Sequence, residues 1–316
     1  MGTIKRNAMF TGINRRSFIQ SLTVGALSLG FTRPKETRHL KVGHTGITWY
    51  YKPTDAPRAI KDCGTLGYWG FESFGNILQY WESRGGLQSL FRQYNIPLYS
   101  AYCPYDMIHP SKLQDEITKV VQWGRLIKKY GGKVAVLGPT SVDRHTFDYK
   151  VHKQAIINAL NEVSKALSDI GIVGGLHQHT GTCVMSRHEV YATLDAVDTR
   201  YVKFAPDVGQ LTKAGSDATK IVEDFLPIIE HVHLKDYNGS NVWNGYCPLG
   251  EGEVDIPKIL DLLEASGNDL MIMVELDPPE ISDPPITALE TAAMSKWYLK
   301  EQGYTFQPSR AWVELG

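Results

Sequence analysis

From Leu40 onward, short and nearly continuous apolar runs alternate with longer stretches in which apolar residues return every three or four positions. The runs suit strands buried on both faces, and the longer stretches suit helices with one buried side. Strands are predicted over 41–49, 68–73, 97–103, 133–137, 172–179, 202–208, 229–234 and 270–276. Helices are predicted over 113–130 and 149–170, the second with Ile156, Leu160, Val163 and Leu167 on one face. Eight strand–helix pairs over roughly 275 residues have the size and rhythm of an α/β chain folded as a (β/α)8 TIM barrel. The alternative is a doubly wound open sheet. No Gly-x-Gly-x-x-Gly follows the first run, and polar residues recur at the strand ends, so the barrel is the expected fold.

Composition narrows the partners. The chain has 316 residues, 42% of them hydrophobic, enough for a large core, and its 33 basic residues nearly balance 34 acidic ones. That balance argues against a nucleic-acid partner or a membrane surface. Cys63, Cys103, Cys183 and Cys247 form no Cys-x-x-Cys pair and are too few for a disulfide framework, so their redox state stays open.

The first 39 residues read as an export signal and linker, leaving 40–316 as a single barrel domain. Lys5, Arg6, Arg15 and Arg16 give a basic start, and the apolar run from Ser21 to Phe31 is too short to span a bilayer. Asn14-Arg15-Arg16-Ser17-Phe18-Ile19-Gln20 resembles a twin-arginine export signal, which implies a periplasmic protein with no integral membrane segment in its mature chain. Whether that mature chain forms a homo-oligomer is left open.

In a barrel the site forms at the carboxyl ends of the strands. There the chain places Glu72, Tyr102, His177 and His179, Asp207 and Gln210, His231 and His233, and Glu275 with Asp277. His231, His233 and Lys235 are two apart, so on a strand they share a face. Imidazoles and carboxylates converging from four consecutive strands suit a divalent metal with mixed nitrogen and oxygen ligands: manganese, cobalt, zinc or iron. Tyr102 and Trp243 are candidate walls of a sugar pocket, because aromatic rings pack against the apolar faces of sugars.

Several stretches carry a family likeness: His177-Gln178-His179-Thr180-Gly181-Thr182, Asp207-Val208-Gly209-Gln210, His231-Val232-His233-Leu234-Lys235-Asp236, the run from Pro248 to Asp255 with its Gly250-Glu251-Gly252, and Val274-Glu275-Leu276-Asp277. From Lys41 to about Gly303 the chain resembles the xylose-isomerase-like TIM-barrel superfamily of sugar isomerases and epimerases, with inosose dehydratase the nearest flavour. The resemblance implies a metal held by Asp207, His233 and Glu275, and a loop at 250–252 that caps the barrel mouth. His177 stands where many members have a carboxylate, so it is expected as the fourth ligand. Gln210 replaces a common histidine; it can bind a substrate hydroxyl, as can Glu72, His231, Tyr102 and Trp243, but it cannot take a proton.

The implied chemistry is removal of a carbon-bound proton beside a metal-polarised carbonyl of a sugar, keto-sugar or cyclitol. Glu275 is expected as the base, with His177, His179 or Lys235 as the proton donor. A carboxylate on each face of the substrate, as two-base epimerases use, is not available here. Isomerisation, or loss or addition of water, fits better. A carbohydrate-binding relic without turnover is the alternative, and an apurinic-type nuclease is disfavoured by the balanced charge.

Overall fold

The computed structural model describes residues 37–50, 52–281 and 284–309. The twin-arginine motif at Arg15 and Arg16 and the apolar run after it lie outside these residues. Among the described residues no helix is long and apolar enough to cross a membrane.

Strands and helices alternate as the hydrophobic pattern predicts. In chain order the elements are β1 (Lys41–Thr45), α1 (Ala56–Leu66), β2 (Phe71–Phe74), α2 (Gly75–Glu82), α3 (Gln88–Gln93), β3 (Leu98–Pro104), α4 (Leu113–Lys129), β4 (Val134–Gly138), α5 (Tyr149–Asp169), β5 (Val173–Leu176), α6 (Arg187–Leu194), β6 (Val202–Phe204), α7 (Val208–Lys213), α8 (Ala218–Phe225), β7 (Val232–Leu234), β8 (Asp236–Ser240), β9 (Gly245–Cys247), α9 (Ile256–Ser266), β10 (Met271–Val274) and α10 (Ala288–Glu301). Eight of the strands form one sheet, ordered β6-β5-β4-β3-β2-β1-β10-β7, and every pairing in it is parallel. The sheet curls until β6 meets β7, where isolated parallel bridges Phe204–Ile229 and Asp207–His233 stand in for a ladder. Helices cover the outer face, giving the TIM barrel.

The helices bury the residues their spacing selects. On α5, Ile156, Leu160, Val163 and Leu167 are buried in the main core between sheet and helices, and Asp148 caps its first turn by accepting from Lys150 N at 2.9 Å. Residues on the opposite strand face pack inside the barrel, where Val134, Val136 and Ala205 meet Tyr99, Tyr102 and Val173.

Four of the eight strands, β1, β5, β6 and β10, stop earlier than the apolar runs. The expected 202–208 strand ends at Phe204 because Pro206 has no N–H for a ladder and Asp207 turns the chain into α7 as its N-cap. The 41–49 run ends at Thr45 and continues as a short turn of 3-10 helix over Ile47–Trp49. A hairpin that the periodicity misses, β8 with β9, follows β7 directly. Its signal is Asn-Gly at 238–239 and 244–245, where Gly239, Asn244 and Gly245 take positive φ.

Candidate active site

Residues two apart on one strand face inward together, and this rule builds the site in layers. Lowest lies His231, stacked on Tyr99 with ring centres 5.9 Å apart and fully buried. Its Nε2 donates to Glu72 Oε2 at 2.8 Å, an oxygen that also accepts from Ser100 Oγ at 2.7 Å. Glu72 Oε1 lies 2.8 Å from Nε2 of His233 in the next layer, and His233 Nδ1 lies 3.1 Å from Glu275 Oε2. Above them Lys235, 0% exposed, sets its Nζ 3.0 Å from Asp207 Oδ2, 2.5 Å from Glu275 Oε1 and 2.8 Å from Asp277 Oδ1.

The fields of these groups decide their charge. Burial by itself raises the Glu72 carboxyl, yet the two imidazoles beside it hold it well below the usual carboxylate range. Burial also lowers His233, but the Glu275 and Glu72 carboxylates overcome this and push it up to about 9. His177 has no carboxylate in contact, so burial and the neighbouring His233 hold it neutral. Lys235 loses hydration and more than recovers it from Asp207, Asp277 and Glu275, so it is firmly an ammonium.

Ligand atoms of His177, Asp207 and His233 all lie within 4.8 Å of one another. Of the atoms they offer, His177 Nδ1 is buried with no partner, while Asp207 Oδ2 and His233 Nδ1 meet only ion-pair contacts, Lys235 Nζ at 3.0 Å and Glu275 Oε2 at 3.1 Å. A buried polar atom without a partner is costly, and two imidazole nitrogens with a carboxylate oxygen are a donor set that a borderline divalent ion satisfies. The residues therefore fit a metal. Glu72 completes the arrangement, because a carboxylate on the far nitrogen of a ligating histidine fixes its orientation. Glu72, His231 and His233 are a second potential ligand group, but their close contacts already pair them with one another.

A cavity of about 290 Å3 opens above this cluster, lined by Ile47, Phe74, Tyr102, His177, His179, His233, Asn244, Glu275 and Asp277 among others. His179 is held from both sides. Its Nδ1 donates to Thr180 O at 2.7 Å, because a carbonyl can only accept, and its Nε2 lies 2.8 Å from Gln210 Nε2. Thr180 N and Oγ1 both donate to Gln210 Oε1, so the Gln210 amide must turn its NH2 toward His179. His179 Nε2 thus carries a lone pair, which accepts from the Gln210 amide.

Residues 60–297 match the family described as xylose isomerase-like TIM barrel. The chain belongs to that family. It is 24% identical over 298 residues to an inosose dehydratase of Clostridium botulinum, covering 83% of this chain and 97% of that one. Among solved structures it resembles the probable 3-DHS dehydratase AsbF of Bacillus anthracis, with TM-score 0.67 and 15% identity over 83% of this chain and 99% of that one. It also resembles an IOLI protein with a bound zinc atom, with TM-score 0.66 and 18% identity over 84% and 98% of the two chains.

Within this xylose isomerase-like barrel the expected residues fall into three groups. His177, Asp207 and His233 come together, and Glu275 borders them while its second oxygen faces Lys235. His179 and Tyr102 line the cavity, Tyr102 edge-on to His177 at 5.4 Å between ring centres. Three residues expected to touch substrate sit elsewhere: His231 lies beneath Glu72, Gln210 spends its amide on Thr180 and His179, and Trp243 packs against Tyr246 and Leu276. Glu72 borders the cavity, but both its oxygens are taken by the histidines and Ser100. Asp277, expected at the rim without a role, lines the cavity; Phe74 was missed, and its signal was the spacing, two beyond Glu72 on the same face.

The loop at 250–252 does not cap the mouth. None of its residues lines the cavity. It is tied instead to Asp236, whose Oδ2 accepts from Gly250 N at 2.9 Å and Gly252 N at 3.0 Å and whose Oδ1 accepts from Val254 N at 3.2 Å. A Cβ at Gly252 would meet Asp236 Oδ1 at 2.1 Å, which is why glycine stands there.

Proposed function

We propose that this barrel is a divalent-metal-dependent enolising enzyme acting on a keto-cyclitol or keto-sugar, with loss of water next to the carbonyl as the reaction it fits best. The observation that carries this is the meeting of His177, Asp207 and His233 at the floor of a cavity that His179 also lines. The names of relatives point the same way: inosose dehydratase, a probable 3-DHS dehydratase, and a zinc-bearing IOLI protein. His177, Asp207 and His233 would hold the metal with Glu275 beside them, and the ion would supply the Lewis acidity that makes a neighbouring carbon acid.

The base we assign is His179 and not Glu275. Both Glu275 oxygens already have close partners, Oε2 at His233 Nδ1 and Oε1 at the Lys235 ammonium, whereas the His179 lone pair faces only an amide that substrate can displace. Its Nδ1–H stays on Thr180 O while Nε2 takes the carbon-bound proton. The same nitrogen then returns that proton to the departing hydroxyl, which leaves as water as the carbon–carbon double bond forms, so one imidazole serves both steps. Lys235 is too firmly protonated to be the donor, and His177, held neutral, has no proton to give beyond its ring N–H.

The test is exchange of a substrate carbon-bound proton in deuterated water, using metal-loaded protein and a keto-inositol, with absorbance of the unsaturated product followed in parallel. His179→Asn should lose at least about a hundredfold in exchange with its metal content retained. Exchange kept in that variant and lost in Glu275→Gln would return the base to Glu275. A metal-loaded wild type silent toward every keto-cyclitol and keto-sugar tried would favour a binding protein.

A further inference from the structure

The carboxylate side of the proposed metal cluster already faces a cation of the protein's own. The Lys235 stem runs against Gly209, where a Cβ would meet its Cγ at 2.7 Å, and its ammonium lies 4.6 Å from the ring centre of Tyr246. Confined in this way, Nζ ends among Asp207 Oδ2, Glu275 Oε1 and Asp277 Oδ1. Asp207 has one oxygen to spare for an ion, since its Oδ1 accepts from Gln210 N at 2.9 Å as the cap of α7. The spare oxygen, Oδ2, is the one Lys235 faces.

We propose that Lys235 is a built-in competitor of the metal ion: its ammonium holds Asp207 Oδ2 and Glu275 Oε1 in the metal-free protein, and a divalent ion binds only by drawing them away. The inference rests on the metal reading above and adds a property to it. Two buried carboxylates, Asp207 and Glu275, and the partly buried Asp277 surround this ammonium. Without a counter-charge they would repel one another, and Lys235 supplies that charge whenever no ion is present. The same charge opposes an incoming ion, and His177, as a neutral ligand, offsets none of it. The site is therefore built to stay folded when empty and to bind metal loosely.

The test titrates zinc, and separately manganese, into metal-free full-length protein by calorimetry. Removing a positive charge a few ångströms from the ion should make Lys235→Met bind at least about tenfold more tightly. Lys235→Arg keeps the charge and should bind as the wild type does. Metal-free Lys235→Met should also melt below the wild type and gain more from added zinc, because its carboxylates have lost their counter-charge. Should this variant fold only with metal, its affinity is read by competition with a chromophoric chelator. Equal or weaker binding by Lys235→Met, with the wild type binding metal, overturns the competitor role and leaves the metal reading standing. A gain in Lys235→Arg as large as in Lys235→Met also overturns it, since charge would not be the cause. Binding by neither protein overturns both readings.

Discussion

Glu72 shows how much of a metal-type site lies behind its ligands. Its two oxygens fix His231 and His233 at once, and Ser100 takes up a remaining lone pair, so this buried carboxylate sets the ring orientation of a proposed ligand without facing the ion itself. Glu72→Gln replaces the charge with an amide that cannot accept from both imidazoles. Metal affinity should fall about 10- to 100-fold, the scale for losing the partner behind a ligating histidine. Metal-free stability should fall by about 3–5 kcal/mol, because His233 would lose a buried counter-charge and His231 its hydrogen-bond acceptor. Calorimetric metal titration and a denaturant melt check the two parts, and unchanged affinity would reduce Glu72 to a packing role. The sequence placed Glu72 at the right strand end but could not say which way its oxygens pointed. Substrate contact and ligand support need the same residue type at the same spacing.

At the scale of elements, β7 runs straight into the β8–β9 hairpin, and Asp236 is the joint. The one carboxylate accepts from the backbone N–H groups of Tyr237, Gly250, Gly252 and Val254, gathering the loop that leads into α9. Asp236→Ala would leave these donors to find water in a partly buried place. A loss of about 2–4 kcal/mol is expected, a few charge-assisted bonds offset by rehydration. Hydrogen exchange should speed up at Gly250, Gly252 and Val254 and stay slow in β3 and β4; uniform acceleration would mean Asp236 holds the whole barrel and not the loop. The motif string from His231 to Asp255 was legible as a unit. That its glycines serve Asp236 and not the cavity was not, since the contact joins residues more than a dozen positions apart.

For the whole molecule, the remaining proposal is location. We propose export by the twin-arginine route, on the strength of the Arg15-Arg16 pair followed by Phe18 and a short apolar run. Replacing both arginines by lysine keeps the charge and removes the guanidinium pair, so the protein should stay in the cytoplasm; fractionation that finds it still exported would assign another route. The barrel itself is held by local patterns repeated around a closed sheet, and its weakest seam is between β6 and β7, where only isolated bridges join the strands. Asp207 and His233 form one of those bridges, so the proposed metal would also tie the seam. Chelation of a metal-loaded sample should therefore lower its melting temperature, and an unaltered melt after verified metal removal would separate site from seam.

Apolar periodicity by itself determined the eight barrel strands, the face of α5, and the gathering of His, Asp and Glu at one rim, because strand period and barrel polarity are properties of sequence position. What it could not determine was the partner of each polar atom. His177, His179, Gln210 and Lys235 all read as groups able to touch substrate or metal. Only the tertiary structure gave the Gln210 amide to His179, the Lys235 ammonium to three carboxylates and the His231 ring to Glu72. The reason is geometric: hydrogen bonds and ion pairs reach about 3 Å, and which atoms come that close across a barrel depends on register, strand tilt and side-chain rotamer, none of which a one-dimensional pattern records.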